Sequence, residues 1–148
     1  MTRRNLLATP LAAWERDGLK AALVKAGLPA DDVGDARLLF WRFETTDIPV
    51  GFGGLEIHGS DALLRSLVTL PPLRQIGMGA AMVAVLETEA RALNCHAIYL
   101  LTASDAKFFG RLGYGPCARS DVPDAIRGSR QFAELCAPTA AAMVKRIG

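Results

Sequence analysis

Apolar residues recur along the chain in two patterns, short runs that are typical of strands and longer runs with the spacing of one helix face. Pro10 stands where a first helical turn tolerates proline, and Gly27 and Gly113 stand where helices commonly end. Gly18 and Gly128 weaken the prediction of two of the helices. The predicted strands are 5–9, 36–44, 50–59, 62–70, 96–102, 114–119 and 140–147, and the predicted helices are 10–27, 77–94, 104–113 and 121–136.

The order of these elements predicts a mixed sheet. The strands between residues 36 and 70 follow one another closely and indicate an antiparallel meander. Pro71 and Pro72 end the last of them, because neither residue has an N–H for a strand ladder. The next helix crosses back over the sheet, so strand 96–102 should lie parallel to strand 62–70. The sheet is therefore expected to be neither all-parallel nor all-antiparallel.

Two glycines, Gly77 and Gly79, stand at the start of a long predicted helix. Without a Cβ they let a ligand approach the backbone closely. The first N–H groups of a helix have no partner within it, and the helix dipole is positive there, so the site suits an anion such as a pyrophosphate. Arg74 adds a charged donor at the edge. Taken alone, the loop also fits a tight helix start with glycines chosen for packing.

Two common phosphate-binding motifs do not match this loop. A P-loop needs a lysine, and the segment has none. A dinucleotide fingerprint needs glycine or alanine where Met82 stands, and the stretch from Pro71 to Ile76 is too long for the tight turn of that fold. Another ligand with a pyrophosphate group therefore remains.

Composition narrows the possible functions. The chain has 148 residues, of which 51% are hydrophobic, and it is predicted to form one globular domain over residues 1–148. With 17 Lys and Arg against 15 Asp and Glu, the net charge of +2 gives no case for nucleic acid. Neither a membrane span nor a signal peptide is expected. The three cysteines, Cys95, Cys117 and Cys136, suggest neither disulfides nor a metal site, so a reduced, cytoplasmic protein without metal is expected.

The segment "LVTLPPLRQIGMG" resembles the acetyl-CoA loop of the GNAT superfamily of N-acetyltransferases, with its pattern Arg/Gln-x-x-Gly-x-Gly/Ala on residues 74–79. "GGLEIHGSDALLRSL" before it, "FFGRLGYGP" after it and the element order extend the resemblance over nearly the whole chain. It implies an α+β fold with a mostly antiparallel sheet of six or seven strands and helices on both faces. It also implies that strands 62–70 and 96–102 splay apart at a bulge.

A narrower resemblance concerns the N-acetyltransferases found in bacterial arsenic-resistance operons. It rests on "GLE", "ALLRSL", "YLLT", "FFGRLGY" and "AIRGSRQFAELC", within residues 50–136. It implies arsenic resistance as the biological context. It also implies a class of acetyl acceptor, an amino-acid-like or arsenic-related amine.

The GNAT resemblance implies acetyl-CoA as cosubstrate, with no metal and no covalent intermediate. Backbone groups of Leu67, Val68 and Thr69 would bind the pantetheine arm, and an N–H near Val68 would polarise the thioester carbonyl. Thr102 stands where many members have an asparagine that bonds to the arm, and Phe109 stands where many have a tyrosine that protonates the thiolate. The N–H groups implied for the pyrophosphate are those of Gln75, Ile76, Gly77, Met78, Gly79 and Ala80.

Glu56, in "GLEI" on a strand expected beside the acetyl site, is the first candidate for the base that accepts the amine proton. A solvated strand residue or a partner of Arg65 is the alternative. Arg65 lies in an otherwise apolar strand, where a charge needs a partner, either Glu56 or an acidic substrate. His58 shares a face with Glu56 and is expected at the surface.

The general acid is open, because Phe109 has no proton to give. Tyr114, Tyr99 and a water are the candidates, and we assign a catalytic role to Tyr114. The expected function is acetyl transfer from acetyl-CoA to the amine of a small molecule, by a monomer or homodimer. A catalytically degenerate domain that binds CoA or a partner protein is the main alternative, and a nucleotide-binding oxidoreductase is a distant one.

Overall fold

The structure is a computed structural model that describes residues 6–28, 30, 38–46, 48–70, 77–129, 132 and 140–148. The strands are β1 (Leu6–Pro10), β2 (Leu38–Thr45), β3 (Ile48–His58), β4 (Asp61–Thr69), β5 (Ala97–Thr102), β6 (Gly115–Cys117) and β7 (Ala141–Arg146). The helices are α1 (Arg16–Lys25), α2 (Met78–Ala92), α3 (Ala106–Arg111) and α4 (Asp124–Arg127), with short 3-10 turns at Ala13–Glu15 and Arg119–Asp121.

The strands form one seven-stranded sheet in the order β1-β2-β3-β4-β5-β7-β6. Strand β4 pairs with β5 in parallel, and every other neighbouring pair is antiparallel. The predicted α+β fold with a mostly antiparallel sheet is confirmed, including the meander and the parallel crossover.

Helices cover both faces of the sheet because apolar residues alternate along the strands. On β2, Phe40 is buried against Leu19 and Leu23 of α1, while Phe43 points to the other face and is buried in one cluster with Leu86 of α2. Removing the Phe43 ring would therefore leave a core cavity and cost roughly 3–5 kcal/mol of folding free energy. Helix α3 packs on the α2 side, and α4 packs in a separate cluster with Leu63 of β4.

The predicted helix 10–27 is wrong in its first turns. Pro10 ends strand β1, where it pairs with Trp41, and α1 begins only at Arg16. A proline is tolerated at this place because β1 is an edge strand and needs fewer ladder hydrogen bonds. Trp14, inside the range predicted as helix, is 82% exposed in the 3-10 turn before α1.

The predicted helix 121–136 is wrong in extent over the residues that the structure describes. Helix α4 covers only Asp124–Arg127, and the N–H of Gly128 closes it by donating to the carbonyl oxygen of Asp124 at 2.9 Å. A glycine at this position is a common end to a helix. Residues 130, 131 and 133–136 of the predicted helix lie outside the described residues.

Candidate functional site

A bulge interrupts strand β4. The ladder between β3 and β4 loses its register between Phe52 and Gly54, and Ser66 on the β4 side has a left-handed φ of +58°. At Gly51 an added Cβ would lie 2.0 Å from the carbonyl oxygen of Val68, so only glycine lets β3 come this close to the bulged strand.

Strands β4 and β5 separate after Leu63, shortly before the bulge. Their parallel pairing runs from Asp61 with Ala97 to Leu63 with Tyr99 and stops there. The rest of β5, through Thr102, pairs with β7 on its other side. The predicted splay between these two strands is confirmed.

A cleft of about 1010 Å³ occupies the splay and reaches both faces of the sheet. Arg65 and the end of α1 line it on one side, and Phe108 of α3 and the start of α2 line it on the other. The cleft therefore runs through the sheet, so that a long ligand inside it could meet a second molecule entering from the α1 side.

The start of α2 opens into this cleft, where Gly77, Gly79 and Ala80 line it. Gly77 has φ +79° and no side chain to cap the helix, and the first turn carries no acidic residue. An added Cβ at Gly79 would lie 3.2 Å from Cζ of Phe108 and 3.8 Å from Oγ1 of Thr69. The bare helix start thus offers free N–H groups in a narrow passage, which is what a pyrophosphate needs.

The predicted cofactor residues are divided between the cleft wall, the core and the part of the chain outside the described residues. Thr102 lines the cleft, and its Oγ1 accepts a hydrogen bond from the N–H of Asp105 at 2.8 Å, so its proton is available to a ligand. Met78 is buried in the core. Arg74, Gln75 and Ile76 lie outside the described residues. The others, Leu67, Val68, Thr69, Gly77, Gly79, Ala80 and Phe109, all line the cleft, and their roles stay predictions.

On the α1 side, Glu56 and Arg65 form a buried ion pair. Glu56 is 8% exposed, and its Oε1 lies 3.8 Å from Nη1 of Arg65. Its Oε2 lies 2.5 Å from Nε2 of the partly exposed His58. Arg65 lines the cleft with a fully buried guanidinium group, and its Nε donates to Oγ of Ser66 at 3.1 Å. The two partners expected for Arg65 were Glu56 and an acidic substrate, and Glu56 is the one that lies at ion-pair distance in the structure.

Neither tyrosine that we considered as an acid lines the cleft. The Tyr114 hydroxyl donates to Oε2 of Glu87 at 3.0 Å, and Nζ of Lys145 donates to the same oxygen at 3.0 Å. Burial and the nearby Glu87 charge raise the pKa of Tyr114 far above its ordinary value. Phe109 contacts the Tyr114 ring edge-on, with 5.7 Å between ring centres. Tyr99 packs against the α4 side of the sheet, and burial raises its pKa also.

Sequence reasoning missed several residues of the cleft wall. Lys25 at the end of α1 and the residues after it, to Leu28, line the cleft. Phe108 and Arg111 line it too. The N–H of Leu28 donates to the carbonyl oxygen of Leu23 at 2.9 Å, which folds this segment back over the helix end. Gly27 was recognised as a helix stop, but no local pattern tells which surface a helix end will face.

Of the three cysteines, the structure describes Cys95 and Cys117, which belong to different hydrophobic clusters. Cys95 is buried, and Cys117 lies partly exposed in β6, and burial raises the pKa of both thiols. Cys136 lies outside the described residues. Within the described part of the chain, no group of three or more His, Cys, Asp or Glu side chains could hold a metal ion. No helix there is long and apolar enough to cross a membrane.

Comparisons with known proteins agree with this geometry. Residues 5–114 match the model of the "Acetyltransferase (GNAT) family". No curated protein matches the sequence significantly.

Solved structures share the fold at low sequence identity. N-acetylglutamate synthase from Neisseria gonorrhoeae, in complex with coenzyme A and L-arginine, has a TM-score of 0.77 at 13% identity over 96% of this chain. This chain spans only 33% of the length of that protein. A GNAT-family acetyltransferase from Staphylococcus aureus has a TM-score of 0.73 at 14% identity, covering 97% of this chain and 99% of the other. GCN5 from Tetrahymena has a TM-score of 0.76 at 11% identity, covering 96% of both chains.

Proposed function

Since the chain belongs to the GNAT acetyltransferase family, we propose that it transfers an acetyl group from acetyl-CoA to the amine of a small molecule. The observation that carries the proposal is the cleft in the splay between β4 and β5, which leads to the bare N-terminus of α2. A neighbour with the same fold is solved with coenzyme A.

The chain's contribution on the cofactor side is positioning and polarisation. The N–H groups at the start of α2 would hold the pyrophosphate, and the part of β4 that lines the cleft, from Leu67 to Thr69, would hold the pantetheine arm. Acetyl-CoA supplies a thioester, whose C–S bond breaks as the amine nitrogen forms a C–N bond. A backbone N–H near Val68 would stabilise the negative charge that develops on the carbonyl oxygen.

We propose Glu56 as the group that accepts the amine proton. Arg65 connects it to the cleft wall, and its second carboxylate oxygen contacts His58. Because His58 is partly exposed, it can pass the proton on to solvent. If Glu56 only paired with Arg65, its role would be structural. Glu56→Gln distinguishes that role from proton acceptance, since the amide keeps the shape of the side chain but takes up no proton.

For the leaving thiolate we favour a proton from water in the cleft. Tyr114 stays our predicted acid only if its hydroxyl can leave Glu87, to which it donates at 3.0 Å. Tyr114→Phe decides this: turnover within about threefold of wild type supports a solvent proton, and a loss of about 100-fold or more, the range of one general acid, supports Tyr114.

We propose an acceptor that carries an acidic group near its amine, such as an amino acid or an ω-aminophosphonate or aminoarsonate. The buried guanidinium of Arg65 on the cleft wall supports this class, because a buried cation can bind a carboxylate or an oxyanion. A location in the cytoplasm and a monomeric or homodimeric state are part of the same proposal. A screen of free-thiol release over these compounds tests the class, with n-propylamine as the acid-free control. Equal rates with n-propylamine would reject an acidic acceptor.

Calorimetry with coenzyme A tests the cofactor site. Gly79→Tyr should abolish binding, because the side chain would fill the passage beside Phe108. Gly18→Tyr is the matched control, since the same side chain on α1 would meet open space. Normal binding by Gly79→Tyr would show that our assignment of the loop is wrong.

A second candidate function is CoA or partner binding without catalysis. The observation that favours it is Phe109, which lines the cleft without a hydroxyl group. Coenzyme A binding with no thiol release on any amine of the screen would support this alternative and reject the enzyme.

A further inference from the structure

Ser66 holds an unusual place in the fold. It is the bulge residue of β4, it is 8% exposed, and its φ of +58° lies in the left-handed region. This conformation is strained for a residue other than glycine, because its Cβ approaches the following carbonyl oxygen. Glycine would form this bulge more easily, so the serine side chain must contribute something that offsets the strain.

The contribution is a hydrogen bond to a buried charge. Oγ of Ser66 accepts from Nε of Arg65 at 3.1 Å. Arg65 lies 3.8 Å from Glu56, which is an ion-pair distance but too long for a good hydrogen bond. The Arg65 guanidinium also lies over the Phe40 ring, with 5.9 Å from Cζ to the ring centre. The hydrogen bond to Ser66 is thus shorter than the contact with Glu56.

Holding one nitrogen of a guanidinium sets the direction of the other two, because the group is planar. We propose that Ser66 is a positioning residue, whose hydroxyl oxygen fixes Nε of Arg65 so that the two NH2 groups face Glu56 and the cleft. Ser66 then couples the bulge that opens the cofactor cleft to the cation on the acceptor side. This inference rests on the proposed function for its effect on catalysis, but not for its geometry.

Three variants separate the backbone from the hydroxyl group. Ser66→Gly keeps the left-handed bulge and removes the acceptor atom. Ser66→Asn also tolerates this backbone and restores a side-chain oxygen. Arg65→Lys keeps the charge and removes Nε, so it reports whether Ser66 acts through Arg65.

The first measurement needs no acceptor. Nuclear magnetic resonance of the full chain follows the Arg65 Nε–H signal, which is identified by its loss in Arg65→Lys. In Ser66→Gly its exchange with solvent should speed up about tenfold, the factor that corresponds to one hydrogen bond. In Ser66→Asn it should stay within about threefold of wild type. Unchanged exchange in Ser66→Gly would overturn the proposal.

The second measurement uses acetyl-CoA with L-glutamate as acceptor probe and n-propylamine as control. Ser66→Gly should lower the ratio of kcat/KM for L-glutamate to kcat/KM for n-propylamine about tenfold, mainly through KM for L-glutamate, with coenzyme A affinity kept. In the Arg65→Lys background Ser66→Gly should add nothing. An equal effect in both backgrounds, or a matching loss of coenzyme A binding, would overturn the role through Arg65. If wild type transfers acetyl to neither amine, the proposed enzyme fails for these probes, and the exchange measurement alone decides for Ser66.

Discussion

Two glutamates are buried on opposite sides of the sheet, and their surroundings differ. Glu87 of α2 accepts from Tyr114 at 3.0 Å and from Lys145 at 3.0 and 3.2 Å, away from the cleft. Glu56 of β3 has an imidazole nitrogen at 2.5 Å and the Arg65 guanidinium at 3.8 Å, beside the cleft. The first carboxylate is enclosed by donors from Tyr114 and Lys145, while the second lies between the partly exposed His58 and the Arg65 guanidinium of the cleft wall.

The difference separates a charge that holds elements together from a charge that can take part in chemistry. Lys145 also donates to the carbonyl oxygen of Leu112 at 2.9 Å, so the Glu87 cluster joins α2, the end of α3 and β7. Glu56 has no comparable role between elements in the described residues, since Arg65 and His58 lie on its own strand and the next one. We therefore expect a change in the Glu56 cluster to affect mainly turnover and a change in the Glu87 cluster to affect mainly stability.

The largest effect is expected for Glu56→Gln. If Glu56 accepts the amine proton, kcat/KM should fall by about 1,000-fold, within the range for one general base, and the thermal midpoint should fall too, because the buried Arg65 loses the charge opposite it. Glu87→Gln is the matched control, and it should lower stability with turnover kept within about threefold. Steady-state thiol release and thermal unfolding of both variants check this. Equal losses of activity in the two variants would remove the distinction between the clusters.

A smaller effect, on stability alone, is expected for Lys145→Met. It leaves the Glu87 charge without its ammonium partner, and because Lys145 is partly exposed we expect a loss of about 2 kcal/mol in the free energy of unfolding. Urea unfolding measures it. Adding Glu87→Met should recover part of the loss, since no unpaired charge then remains. A double variant less stable than Lys145→Met would contradict this account.

The smallest effect is expected for Tyr114→Phe, about 1 kcal/mol near neutral pH for one lost hydrogen bond. The pKa of Tyr114 is raised in the folded chain above the 10.0 of a free tyrosine. Above pH 10 the unfolded chain therefore loses this proton and the folded chain keeps it, so the contribution of Tyr114 to stability falls by up to about 1.4 kcal/mol per pH unit. Below pH 10 the contribution of Tyr114 to stability is constant.

The free energies of unfolding of wild type and Tyr114→Phe, compared between pH 8 and pH 11, measure this change in stability. The upper limit lies about one unit above the pKa of a free tyrosine. The advantage of the wild type should shrink only in the alkaline part of the range. An advantage that grows above pH 10 would mean that the ionised form of Tyr114 is the one favoured in the folded chain.

The sequence predicted the fold well because the fold depends on local signals. The strand periodicity from residue 36 to 70, the proline pair and the glycine start of α2 each act within a few residues. The helix limits were less accurate, because whether Pro10 begins a helix or ends a strand depends on Trp41 across the edge of the sheet.

The clusters of the site were harder to predict. Glu56 and Arg65 lie on adjacent strands, so their pairing could be stated as one of two alternatives. Glu87 meets Tyr114 and Lys145 from positions 27 and 58 residues away, and no spacing rule joins them. The same limitation explains why Tyr114 was chosen as an acid, since its sequence position near Phe109 does not indicate which way its hydroxyl points.

Strand β7 follows β6 in the chain but lies between β5 and β6 in the sheet. During synthesis, a nascent chain that has not yet made Ala141–Arg146 therefore has an open edge on β5, and β6 has no strand to join. That edge, "AIYLLT", is apolar and able to pair with the same segment of another nascent chain. A chain in which β7 is not yet made or has detached is thus exposed to aggregation at this edge.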